Sequence, residues 1–220
     1  MCAIIGSFDP KTILKLVDAN SYRGNFSWSI TGIDKNNYID VTNKGFGEFP
    51  KDLFLELSNE YADYDLYWLC HVQSPTGGQV NDVDRIHPAK NEDFYLWHNG
   101  VIKTKWMEKQ PNNNGFDTKL MVDKIKHNET SNSNSDLDLS ESLKDIDGSF
   151  ACALLYEGVF LKIFRNSASP LFVNGTDISS AKMPDMEKIE SGVLYLLDID
   201  YKEITPCGEF ENINKPFYFG

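Results

Sequence analysis

The chain has 220 residues, 41% apolar and 25% charged, the usage of one globular domain large enough to bury a core. Its formal net charge of −12 argues against nucleic acid and anionic membranes as partners, and no run approaches the roughly 18 apolar residues of a membrane span. The start lacks the basic segment and apolar stretch of a signal peptide, and Cys2, Cys70, Cys152 and Cys207 form no CxxC pair, so neither a zinc ribbon nor a disulfide framework is indicated and the chain reads as cytoplasmic.

The first predicted element is a strand over 3–8, apolar and ending near Gly6. Asp9-Pro10 then supplies a cap and a first-turn proline for a helix carrying Ile13, Leu14, Leu16 and Val17 at helical spacing. Further strands are predicted over 26–31, 38–42, 66–72, 94–97, 150–156, 159–164, 171–173, 193–197 and 202–205. Helices are predicted over 53–61, after Asp117 (Leu120, Met121, Val122, Ile125) and, briefly, around Leu143 and Ile146. Tyr156-Glu157-Gly158 reads as a hairpin turn, and the polar stretch 127–140 as a mobile surface loop. Strands with interspersed helices and no internal repeat predict a single layered α+β domain over 1–220. Gly45-Phe46-Gly47 and Pro75-Thr76-Gly77-Gly78 lack the lysine and the spacing of a phosphate-binding loop.

Cys2 is the first candidate for chemistry. Removal of Met1 would put a thiol and a free α-amine on one residue, so that nucleophile and base come together. Its other reading is a small hydrophobe opening a buried strand. Cys70 and Cys152, inside apolar runs, read as inert core residues.

Three segments bear on Cys2: Tyr22-Arg23-Gly24, His71-Val72-Gln73-Ser74-Pro75-Thr76-Gly77-Gly78 after one apolar strand, and His98-Asn99-Gly100-Val101-Ile102 at the end of another. With Met1-Cys2-Ala3-Ile4-Ile5-Gly6, then Asp117-Thr118, Asp147-Gly148-Ser149-Phe150-Ala151 and Arg165 with Pro170-Leu171, their order resembles the glutaminase domain of class II glutamine amidotransferases, the N-terminal-nucleophile type. Any one segment is weak; in this order, over most of the chain, they are specific.

The resemblance implies a four-layer α/β/β/α sandwich and hydrolysis of L-glutamine through a thioester on Cys2. It implies no cofactor, and ammonia passing to a separate synthetase or transferase partner. Asn99 and the Gly100 N–H would donate to the oxyanion; the alternative reading of Asn-Gly is a hairpin turn. Asp117 would hold the substrate α-ammonium, or cap the helix it precedes. Thr76 and Gly78 would line the substrate pocket, or form an ordinary turn. Gln73 stands where the family carries an arginine for the substrate α-carboxylate, and offers neither charge nor a guanidinium fork. Ser74 replaces a usual aromatic and Ala3 a usual glycine. Arg85 is the candidate substitute cation, and Arg23 would order the site. These departures keep two alternatives open: a catalytically silent binding or regulatory domain, and an amidase for a different amide. His71, His87, His98 and His127 have no metal-ligand spacing; His71 and His98, at strand ends, read as residues that orient loops. Asp82, Asp84, Glu92 and Asp93 read as a solvated acidic loop.

Overall fold

A computed structural model of the chain describes residues 2–74, 82–111, 115–125 and 136–212. In chain order these give β1 (Cys2–Ser7), α1 (Pro10–Asn20), β2 (Ser27–Ile33), β3 (Ile39–Phe46), α2 (Lys51–Glu60), β4 (Tyr67–Gln73), β5 (Ala89–Lys90), β6 (Phe94–Ile102), α3 (Thr104–Met107), α4 (Asp117–Lys124), α5 (Asp136–Lys144), β7 (Gly148–Tyr156), β8 (Phe160–Arg165), β9 (Phe172–Asn174), β10 (Asp177–Ser179), β11 (Glu187–Lys188), β12 (Val193–Asp198) and β13 (Glu203–Glu209). The strands build two sheets, β11-β9-β10-β1-β4-β2-β3 and β13-β12-β8-β7-β6-β5.

Alternation along the strands separates three apolar layers. On β1, Ala3 and Ile5 face α1 and α2 with Ile13, Leu16, Phe54, Trp68 and Cys70. Ile4 faces the other way, into the space between the sheets, with Leu69, Tyr67, Trp97, Ala151, Ala153 and Ile163. On the far side of the second sheet, Leu96, Phe150, Cys152 and Leu154 pack under Leu120, Met121 and Leu143 of α4 and α5. The order helix, sheet, sheet, helix is the four-layer sandwich that the resemblance implies. β1 lies inside its sheet between β10 and β4, with all six residues buried.

Local signals account for several elements. Asp9 caps α1 by accepting from Lys11 N and Thr12 N, with Pro10 in the first turn. The β7–β8 hairpin closes with Val159 N on Tyr156 O at 3.0 Å and Gly158 at φ +72°, where glycine carries no Cβ penalty. Other expectations need correction. Of the loop expected over 127–140, residues 127–135 lie outside the described residues, and 136–140 belong to α5. Leu139 and Leu143 bury against the third apolar layer, and that packing overrides the polar composition. No helix among the described residues is long and apolar enough to cross a membrane.

Candidate active site

The site begins at the first residue of β1. Cys2 is a direct strand partner of Gln73 on β4, which pairs on its other side with Ser27 of β2. Ile4, two residues from Cys2, lies in the inter-sheet layer, so Cys2, Gln73 and Ser27 share that face. Cys2 is only 6% exposed, and its thiol sits 3.8 Å from Ser74 O. Burial pushes the thiol up to about 11, Asp117 adds to the rise and Arg23 opposes it. A thiol in that state is protonated at neutral pH and needs a base before it can attack. Cys70 and Cys152 are likewise raised by burial, in keeping with inert core thiols.

Asn99 and Gly100 are not a turn. They lie inside β6, opposite Ala151 and Phe150 of β7. The long-range ladder overrides the local Asn-Gly signal. Gly100 is required by close approach, since a Cβ there would collide with the Ser149 carbonyl. Asn99 Nδ2 donates to Ser180 Oγ at 3.1 Å. The same oxygen accepts from Ile4 N at 3.0 Å, and Ser180 N donates to Ile4 O at 3.1 Å. Ser180 therefore ties the Asn99 amide to β1, two residues from the thiol.

Asp117 is the first residue of α4; the capping position is Phe116, whose side chain makes no cap bond. The capping alternative for Asp117 is thus corrected by one position. Its Oδ1 accepts from Thr118 N at 2.8 Å, and its Oδ2 lies 3.8 Å from His98 Nδ1. A carboxylate in the first turn is favoured by the helix dipole, and its effect on the thiol places it within electrostatic reach of Cys2.

Gln73 Oε1 accepts from Ser27 Oγ at 3.2 Å and lies 3.3 Å from His87 Nδ1. His87 Nε2 lies 2.9 Å from Thr118 Oγ1, which is 3.2 Å from His98 Nδ1. His98 Nε2 lies 3.3 Å from Ser149 O. His71 and His87 stack at 4.0 Å, and His71 Nε2 reaches the His98 carbonyl at 3.2 Å, joining the two sheets. Burial lowers His71 to about 3 and His87 well below the usual histidine value, so both rings are neutral. Among the described residues, no three His, Cys, Asp or Glu side chains come together as metal ligands.

Arg23 ends a 3₁₀ turn, Ser21–Arg23, with its Nε 3.1 Å from Tyr22 OH. The following Gly24 is pressed on the Gln73 and Ser74 backbone, where a Cβ would not fit. Arg85 pairs with Asp82 at 3.7 Å, and its guanidinium borders Gly115. Arg165 donates to the carbonyls of Ile189, Asn166 and Ser169, a loop-ordering arrangement. Thr76, Gly78 and Met1 lie outside the described residues. Ser27, His87, Thr118 and Ser180 adjoin the site without having been predicted from the sequence. Thr118 was visible beside Asp117, but nothing in the spacing points to Ser180, which meets Ile4 from 176 positions away.

No protein-family model and no curated protein matches the chain. Among solved structures, glutamine phosphoribosylpyrophosphate (PRPP) amidotransferase from B. subtilis, complexed with ADP and GMP, is similar over 96% of this chain and 49% of that one, with a TM-score of 0.64 and 16% identity. A structure described as the allosteric regulatory enzyme of purine biosynthesis is similar over the same shares, with a TM-score of 0.59 and 14% identity. The chain thus spans about half the length of the solved structures it resembles, and the likeness is one of fold: the four-layer sandwich of the N-terminal-nucleophile hydrolase type.

Proposed function

We propose that the chain is a glutaminase of the class II glutamine amidotransferase type, acting on L-glutamine through Cys2 after removal of Met1. The observation that carries this reading is the placement of Cys2. It is a buried thiol at the head of a central strand, beside Gln73 on its own sheet and facing β6, whose Asn99 is anchored to β1 through Ser180.

In this reading the Cys2 sulfur attacks the side-chain amide carbon and its proton passes to the Cys2 α-amine. A base is needed because burial holds the thiol protonated. Asn99 Nδ2 and the Gly100 N–H donate to the oxyanion, a contribution of about 3–4 kcal/mol for one donor. Collapse returns the proton to the leaving nitrogen, expelling ammonia and leaving a γ-glutamyl thioester. Water adds to the thioester carbon, and glutamate leaves as the thiol is restored. Asp117 meets the substrate α-ammonium, Thr76 and Gly78 line the pocket, and Arg23 orders the loop over Gln73. The ammonia serves a synthetase or transferase.

Gln73 favours a second reading, an amidase whose substrate lacks the α-carboxylate, since no guanidinium stands at that position and Arg85 is paired with Asp82. Ammonia release from a panel of amides decides between them. Glutamine turnover that falls on Asn99→Ala, and a glutamine KM that rises on Arg85→Ala, support the first reading with Arg85 as the carboxylate partner. A faster amide without the carboxylate supports the second. No release from any amide, even with a candidate partner present, leaves a silent binding domain.

A further inference from the structure

The side chains from Gln73 to Ser149 O hand protons to one another, and which atoms carry them constrains what Gln73 presents. The links are Gln73, His87, Thr118 and His98, at 3.3, 2.9 and 3.2 Å, with Ser149 O closing the chain at 3.3 Å from His98 Nε2. Ser149 O can only accept, so His98 Nε2 carries a proton. Thr118 has one hydroxyl proton, and His87, neutral through burial, has one ring proton. The Thr118 hydroxyl lies closer to His87 than to Asp117 Oδ1, at 3.3 Å, and that oxygen already takes Thr118 N–H.

Two arrangements satisfy every link when the Thr118 proton stays on the shorter histidine contacts rather than on Asp117 Oδ1. With His98 doubly protonated, Nδ1–H donates to Thr118, Thr118 donates to His87 Nε2, and His87 Nδ1–H donates to the Gln73 carbonyl oxygen, which also accepts from Ser27. With His98 neutral, Nδ1 accepts from Thr118, Thr118 accepts from His87 Nε2–H, and His87 Nδ1 accepts from Gln73. The amide is then turned over, with its NH2 on His87 and Ser27. Amide oxygen and nitrogen have nearly the same shape, so the same distances serve both.

We propose that Gln73, His87, Thr118 and His98 form a proton-linked selector, in which one proton on His98 decides whether the amide beside Cys2 offers N–H or C=O to the substrate. The N–H state receives a carboxylate. The C=O state turns a carboxylate away and receives an ammonium or amide donor. The titratable groups facing His98 are Asp117 on α4, His71 on β4, His87 before β5 and Cys152, the strand partner of His98 on β7. His71 and His87 are neutral and the Cys152 thiol is raised by burial, so the Asp117 carboxylate is the counter-charge for a protonated His98. Lys44 acts one step away, on His87. The consequence for substrate choice rests on the glutaminase reading; the proton linkage does not.

The test is an NMR titration of ¹⁵N-labelled protein that follows the His98 ring nitrogens and the Gln73 side-chain amide. It is paired with kcat/KM for L-glutamine and for 4-aminobutanamide, which is glutamine without its α-carboxylate. The selector predicts that the Gln73 amide titrates with the His98 midpoint, and that Thr118→Val uncouples the two. It also predicts that the glutamine to 4-aminobutanamide ratio rises about tenfold as pH falls through that midpoint, the scale of one hydrogen bond to a charged group. The ratio cancels the pH dependence of the nucleophile common to both substrates. A Gln73 amide that does not follow His98 overturns the selector, and the wild-type titration alone decides this should Thr118→Val not fold. Co-titration persisting in folded Thr118→Val overturns the route through Thr118. Co-titration with no turnover of glutamine supports the selector and overturns the glutaminase reading instead.

Discussion

The space between the two sheets has two ends of opposite character, and the same strands build both. Facing the second sheet, β4 presents Tyr67, Leu69, His71 and Gln73 in succession, and β2 presents Ile33, Thr31, Ser29 and Ser27. On β1, Gly6, Ile4 and Cys2 run the same way. One end is closed by apolar side chains packed on Leu155, Leu161, Leu197 and Ile199. The other holds the thiol, two histidines and hydroxyls, all nearly inaccessible. Ser29 Oγ, Thr31 Oγ1 and His71 Nδ1 have no hydrogen-bond partner among the described residues. Buried polar atoms without partners cost free energy, so the polar end lowers stability that the apolar end and the two helical layers supply.

The largest effect that could break this comparison is at the thiol. In the proposed reading Cys2→Ala lowers ammonia release by roughly 10⁴-fold or more, with little change in the melting temperature. Next, Leu69→Ala at the apolar end should destabilise the fold by about 2–5 kcal/mol, read by denaturant unfolding. A loss below about 1 kcal/mol would mean that the apolar end is not where the stability lies.

Acid sharpens the contrast. His71 binds a proton more readily unfolded, near 6.5, than folded, near 3. Its contribution is therefore complete above pH 6.5 and is lost as pH falls through the window from 6.5 to about 3. The slope is about 1.4 kcal/mol per pH unit from this one ring, and His87, lowered in the same direction, steepens it. A stability flat from pH 7 to 4 would contradict buried neutral histidines. Ser180→Ala removes the oxygen shared by Asn99 and Ile4; in the proposed reading kcat falls about tenfold with a small change in KM, because the proposed oxyanion donor loses its anchor. The smallest effect is a gain. Thr31→Val keeps the shape and deletes an unpartnered hydroxyl, so stability should rise by about 1 kcal/mol.

The legible parts of the sequence were those set by neighbouring residues. The Asp9-Pro10 cap, the hairpin at Gly158 and the apolar runs of β1 and β4 are all local signals, and the structure carries them. The helix predicted over 53–61 begins two residues earlier, at Lys51, an end effect of ordinary size. The strands β5, β10 and β11 have two or three residues each, too few for a period to show. The Asn99-Gly100 pair gave two readings because its local turn preference competes with a ladder to β7 that no local window contains. The partners that orient the site were hidden for the same reason. Ser180 reaches β1 and Asn99, and His87 reaches Gln73 and Thr118, only once the sheets face each other.

Cys2 as a processed nucleophile is tested most directly by the intact mass of the purified protein before and after a glutamine-mimicking diazoketone, with Cys2→Ala alongside. The expected result is a chain that has lost Met1 and takes one adduct, absent from Cys2→Ala. A chain that retains Met1, no adduct on the processed chain, or an adduct that persists in Cys2→Ala, for instance on the half-buried Cys207, would contradict it.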